Sequence, residues 1–146
     1  MARTERGSPG AVLGIDETLI ARVVHGFYAD IRHDAVLGPV FERIIGEGWD
    51  QHLARMVDFW SSVLLTTGRY QGKPMLAHAR IEEIDRALFE RWLALFADTV
   101  ARLCAPAQAA LFLDRAGRIA QSLLCGVEMQ RQLGLAPPHR ASPASA

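Results

Sequence analysis

The 146-residue chain carries 16 basic and 16 acidic residues and is half hydrophobic, which supplies one core and no extended cationic surface for a nucleic acid. No uncharged apolar stretch approaches the roughly 20 residues needed to cross a bilayer, and Met1 to Gly14 lacks the apolar centre of a secretion signal, so a cytoplasmic protein is expected. The two cysteines, Cys104 and Cys125, stand apart in helical patterns with no CxxC or Cys/His grouping, which argues against a thiolate zinc site and for reduced, packed side chains.

Residues 1–14 mix Arg, Thr, Ser, Gly and Pro without a period and are expected to form a flexible tail. Asp16 then offers an N-cap, and Ile20, Val23, Val24, Phe27, Tyr28 and Ile31 recur at three- and four-residue steps, predicting a helix that ends near Asp34. Gly38-Pro39 reads as a break, followed by a short apolar patch of Val40, Phe41, Ile44 and Ile45. At about 100° per residue, the helix from Trp49 to Thr67 carries two adjoining rows. His52, Met56, Phe59 and Val63 make one, Leu53, Val57, Trp60 and Leu64 the other. A face this wide suits a helix that packs on protein with one row and lines something else with the second.

Gly68, Gly72 and Pro74 predict a turn-rich connection to a short helix over Met75 to Ile81, which places His78. Leu88, Phe89, Trp92, Leu93, Phe96 and Val100 describe the next helix, from Ile84 to Cys104. A last helix runs from Pro106 to about Gly134, and residues 135–146 form a second flexible tail that includes His139. Nothing alternates with period two for long enough to be a strand. The expectation is one all-α domain over residues 15–134.

Two histidines delivered to one apolar setting from different segments, His52 and His78, form the pattern that asks for chemistry. Haem iron needs one axial donor from the protein and leaves the other position for a diatomic ligand, and neutral imidazole is such a donor. A porphyrin also needs a slot of large apolar side chains, which Phe41, Met56, Phe59, Val63, Met75, Phe89 and Phe96 offer. Every one of these would also sit comfortably in a cofactor-free core. Buried Tyr28 and Trp92 would either donate to backbone or aim an O–H and an indole N–H at a ligand. His25 and His33 read as ordinary exposed helix residues.

Three blocks carry a resemblance: FYADIRHDAVLGPVF (Phe27 to Phe41), WDQHLARMVDFWSSVLLTTGRYQGKPMLAH (Trp49 to His78) and FERWLALF (Phe89 to Phe96). In order and spacing they resemble the characteristic segments of group III truncated haemoglobins. The resemblance implies a shortened globin, a two-over-two helical sandwich around haem b. It implies that His78 is the proximal iron ligand, that Tyr28, Trp92 and His52 surround a distal ligand, and that Phe41, Met56 and Phe59 are apolar walls. His52 is then a neighbour of the iron with optional ligation. The pattern is departed from at ARIEEID after His78, where relatives often carry proline, and at Leu88, where histidine is frequent.

Arg69, Tyr70, Lys73 and Arg80 stand near the proximal element as candidate partners for haem propionates, although surface solvation explains each equally well. The implied function is binding of dioxygen, carbon monoxide, nitric oxide or similar ligands. Nitric-oxide dioxygenase or peroxidase-like turnover, served by an external reductase, is the alternative on the same scaffold. A cofactor-free helical interaction domain is the remaining one.

Overall fold

The computed structural model describes residues 7–72 and 85–134. It contains six helices there and no strand: α1 (Pro9–Val12), α2 (Glu17–His33), α3 (Leu37–Ile45), α4 (Trp49–Leu65), α5 (Arg86–Leu103) and α6 (Pro106–Gln132). Packing pairs α2 with α4 and α5 with α6, and sets α2 against α5, with α3 lying on α2 and α1 on α4.

The caps follow the sequence. Asp16 Oδ1 accepts from the Leu19 N–H at 2.9 Å and Asp85 Oδ1 from the Leu88 N–H at 2.8 Å, so α2 and α5 each start on a carboxylate that takes up an orphan donor. Pro106 opens α6, and Gly134 follows that helix with a positive φ of 70°. Thr66 closes α4 in the left-handed region, at φ 55°, and turns the chain towards Arg69.

Two stretches differ from expectation. Gly38 and Pro39 do not break the chain; they occupy the first turn of α3, where a missing N–H costs nothing. The helix begins there because Asp34 Oδ2 accepts from the N–H groups of Val36 (3.0 Å) and Leu37 (2.8 Å). Within the expected N-terminal tail, Ser8 Oγ caps α1 by accepting from Ala11 N–H at 3.2 Å. Gly10 brings α1 onto α4 so closely that a Cβ would stand 2.7 Å from the Leu64 carbonyl oxygen.

The core lies where the helix pairs meet. Ile20, Val23, Val24, Ile31, Leu37, Leu64, Phe96, Val100 and Phe112 are all fully buried. Phe96 is its centre: Trp60 stacks on it at 5.4 Å and 16°, Trp92 stacks on it at 5.6 Å and 11°, and Phe27 meets it edge-on at 4.8 Å. Such ring contacts are each worth about 0.5–1.5 kcal/mol beyond the area they bury, and here they lock α2, α4 and α5 together.

Candidate functional site

α2, α4 and α5 bring the polar aromatics of the sequence to one region. Tyr28 and His52 meet edge to face, with ring centroids 5.0 Å apart at 85°. Phe41, from α3, stands 6.0 Å from the Tyr28 ring. Trp92 reaches the group through Phe27, whose ring is 5.3 Å from both Trp92 and Tyr28. The helical period explains the convergence: Tyr28 lies on the buried face of α2, and Trp92 falls one turn before Phe96 on α5.

Burial sets the electrostatics. Tyr28 is 7% exposed, and the loss of solvent pushes its hydroxyl far above the ordinary phenol range, so it stays a neutral O–H donor. The Nε2 atom of His52 is shut off from solvent. The first row of α4 is only half-buried: Met56, Phe59 and Val63 keep part of their apolar surface uncovered by protein, as do Phe89 and Trp92 on α5. A buried hydroxyl, an imidazole and an indole beside incompletely covered apolar walls are a donor set and a lining that fit a flat apolar cofactor carrying a small polar ligand.

Other expected site residues are engaged with protein partners. Phe96, read as a cofactor wall, is 1% exposed, with Trp60 and Trp92 both stacked against it, and in the described structure it braces Trp92. Arg69, read as a propionate partner, is engaged otherwise. Its Nη1 and Nη2 donate to the two Glu17 carboxylate oxygens at 2.8 and 2.6 Å, Nη2 also to Ser61 Oγ at 3.0 Å, and Nε lies 3.3 Å from Asp58. Tyr70 lays its ring edge-on against Phe59 at 5.1 Å while its N–H donates to Ser62 Oγ. His78, Met75, Lys73 and Arg80 lie outside the described residues.

Two neighbours of the site were not singled out from sequence. Trp49 stands 6.1 Å from both Tyr28 and His52. It lies three residues before His52, a spacing that puts both on one helix face and was a usable signal. Its indole donates to Glu42 Oε1 at 3.2 Å, while Arg32 donates to Glu42 Oε2 at 2.9 Å and lies 4.4 Å over the Trp49 ring. The Trp49 bond first, then Arg32, hold the Glu42 carboxyl below its usual range. A cleft of about 480 Å³ opens here, lined by Tyr28, Arg32, Glu42, Trp49, Leu53 and His25 among others. Asp34, the C-cap of α2, had no signal beyond its capping position.

No protein-family model matches the chain. A curated group 3 truncated hemoglobin of Campylobacter jejuni is 36% identical over 89 residues, spanning 59% of this chain and 70% of that protein. The crystal structure of group III truncated hemoglobin from the same organism aligns with a TM-score of 0.73 at 32% identity, covering 77% of this chain and 91% of that one. Helix order, the aromatic core and this agreement in sequence together place the chain in the group III truncated haemoglobins, as a globin-type haem protein.

Proposed function

We propose that the protein binds dioxygen and related diatomic molecules at haem b, with His78 as the proximal ligand of the iron and Tyr28, His52 and Trp92 around the distal ligand. The observation that carries this reading is the edge-to-face pairing of buried Tyr28 with His52 next to the half-buried row of α4. Haem, when bound, supplies the iron at which a diatomic molecule is held. The chain's own task is to hold that molecule with fixed donors.

Tyr28 does this best, because its burial keeps the proton on oxygen and removes competing water. Trp92 is held by Phe27 and Phe96, so its indole needs no reorganisation to act as a second donor. His52 shares the Tyr28 ring edge and completes the polar side of the chamber. Met56, Phe59, Val63 and Phe89 keep the remaining walls apolar. The membership of the chain in a haem-binding family supports the reading, and no described helix is long and apolar enough to cross a membrane.

The test is the optical spectrum of the purified protein with and without carbon monoxide. A Soret band that shifts on adding the gas, and altered ligation in His78→Ala, are expected. Tyr28→Phe should release dioxygen about ten- to a hundredfold faster, the loss of one charge-assisted hydrogen bond of about 1.5–3 kcal/mol. An unchanged dissociation rate would remove Tyr28 from the role.

A further inference from the structure

Asp34 sits at the junction of the three helices that carry Tyr28, Phe41 and Trp92. It caps the C-terminal end of α2, where its N–H donates to the Ile31 carbonyl at 3.0 Å. Its Oδ2 accepts from the N–H of Val36, the N-cap of α3, and of Leu37, its first residue. The same carboxylate takes a two-pronged bond from Arg91 on α5, Nε to Oδ2 at 2.8 Å and Nη2 to Oδ1 at 3.0 Å, across 57 residues of sequence. One side chain, 13% exposed, therefore joins α2, α3 and α5.

What each helix presents next to that joint is a part of the site. Arg91 is followed directly by Trp92, whose ring rests on Phe27 of α2. α3 carries Phe41, 6.0 Å from the Tyr28 ring. A planar fork on a carboxylate fixes direction as well as distance, which a lysine or a neutral amide would not. A second tie between α2 and α5 lies one helical turn before Asp34 on α2: Asp30 Oδ2 accepts from Thr99 Oγ1 at 2.8 Å and from Arg102 at 3.0 Å. With that tie and the Phe96 stack in place, weakening Asp34 loosens the Trp92 end of α5 without separating the helices.

Resting on the distal roles proposed above, we propose that Asp34, through Arg91, is a positioning residue for the bound diatomic ligand. It touches no ligand; through Arg91 it sets where Trp92 stands relative to Tyr28, and thereby how fast the ligand escapes.

The experiment is a double-mutant cycle on the haem-loaded protein, reading the dioxygen dissociation rate and the stretching band of bound carbon monoxide. Asp34→Asn should release dioxygen about three- to tenfold faster and broaden the carbonyl band, as expected when a donor is mispositioned rather than deleted. In a Trp92→Phe background the same substitution should change the rate by less than about twofold, because the residue it acts through is gone. Arg91→Met, at a residue whose side chain is 45% exposed, leaves the α3 cap intact and should reproduce the faster release; it decides the matter if Asp34→Asn does not load haem. Full additivity with Trp92→Phe, or an unmoved band and rate in Arg91→Met, overturns the proposal while leaving the haem reading standing. If Trp92→Phe itself changes nothing, the distal role of Trp92 and the role of Asp34 fall together.

Discussion

Gly38 is a position near the site where an added methyl group would run into backbone. A Cβ there would lie 2.9 Å from the Arg32 carbonyl oxygen and 3.2 Å from that of Ile31, backbone atoms at the end of α2 that cannot rotate away. Gly38→Ala is expected to destabilise the fold by about 1–3 kcal/mol, the usual cost of forcing extra atoms into packed structure. The urea midpoint should fall with an unchanged slope, and a midpoint equal to wild type would show that α3 slides freely over α2. Gly26 is the contrast: its Cβ would be crowded by the terminal methyl of Leu103, 2.9 Å away, which can shift, and would touch the Thr99 methyl at an ordinary 3.8 Å. At this scale sequence was legible where a residue acts through its own helix face. Tyr28, His52 and Trp92 announce themselves by period, and Trp49 could have. Asp34 could not, since its partner Arg91 is 57 positions away and a capping carboxylate looks the same whether or not a guanidinium finds it.

At the scale of elements, the long helices were readable because each repeats its apolar residues over several turns, and α2, α5 and α6 also start at a carboxylate or a proline. α1 was not readable: four residues show no period, and it exists because Gly10 lets it dock on Leu64. α3 was hidden by Gly38-Pro39, the pair that most often marks a break, here placed in a first turn. The connection after α4 turns on Arg69, whose guanidinium ties it to Glu17 of α2 and to Asp58 and Ser61 of α4. Because Arg69 and Glu17 are each 42% exposed on their side chains, water screens much of this attraction. Arg69→Met is expected to cost about 0.5–1.5 kcal/mol and to leave the rate of haem loss to an acceptor unchanged once stability is matched. Faster haem loss at equal stability would instead make Arg69 a propionate partner.

For the molecule as a whole, balanced formal charge leaves the pH dependence of stability to individual groups whose proton affinity changes on folding. On the acid side, the Arg91 bond holds the Asp34 carboxyl at about 2, and Glu17 and Glu42 are also lowered, by Arg69 and by Trp49 with Arg32. Folded values below the unfolded ones mean stability that is present above about pH 4 and lost as the pH falls towards 2. The alkaline side runs the other way. Burial raises Cys104, Tyr70 and, most of all, Tyr28 above their ordinary values, so the unfolded chain ionises first and folding must keep these groups protonated. Stability is then fully present below the unfolded values and declines as pH climbs past about 8.5 for the thiol and about 10 for the phenols. Tyr28 is the most deeply buried of the three, so the steep part of the decline belongs to it. In urea titrations of the haem-loaded protein between pH 8 and 11, Tyr28→Phe should flatten the limb above pH 10, whereas Tyr70→Phe should flatten it only slightly. Equal effects of the two substitutions would mean that the Tyr28 hydroxyl is reached by solvent in the folded protein, and the neutral donor on which the proposed ligand site depends would then be lost in alkali along with the fold.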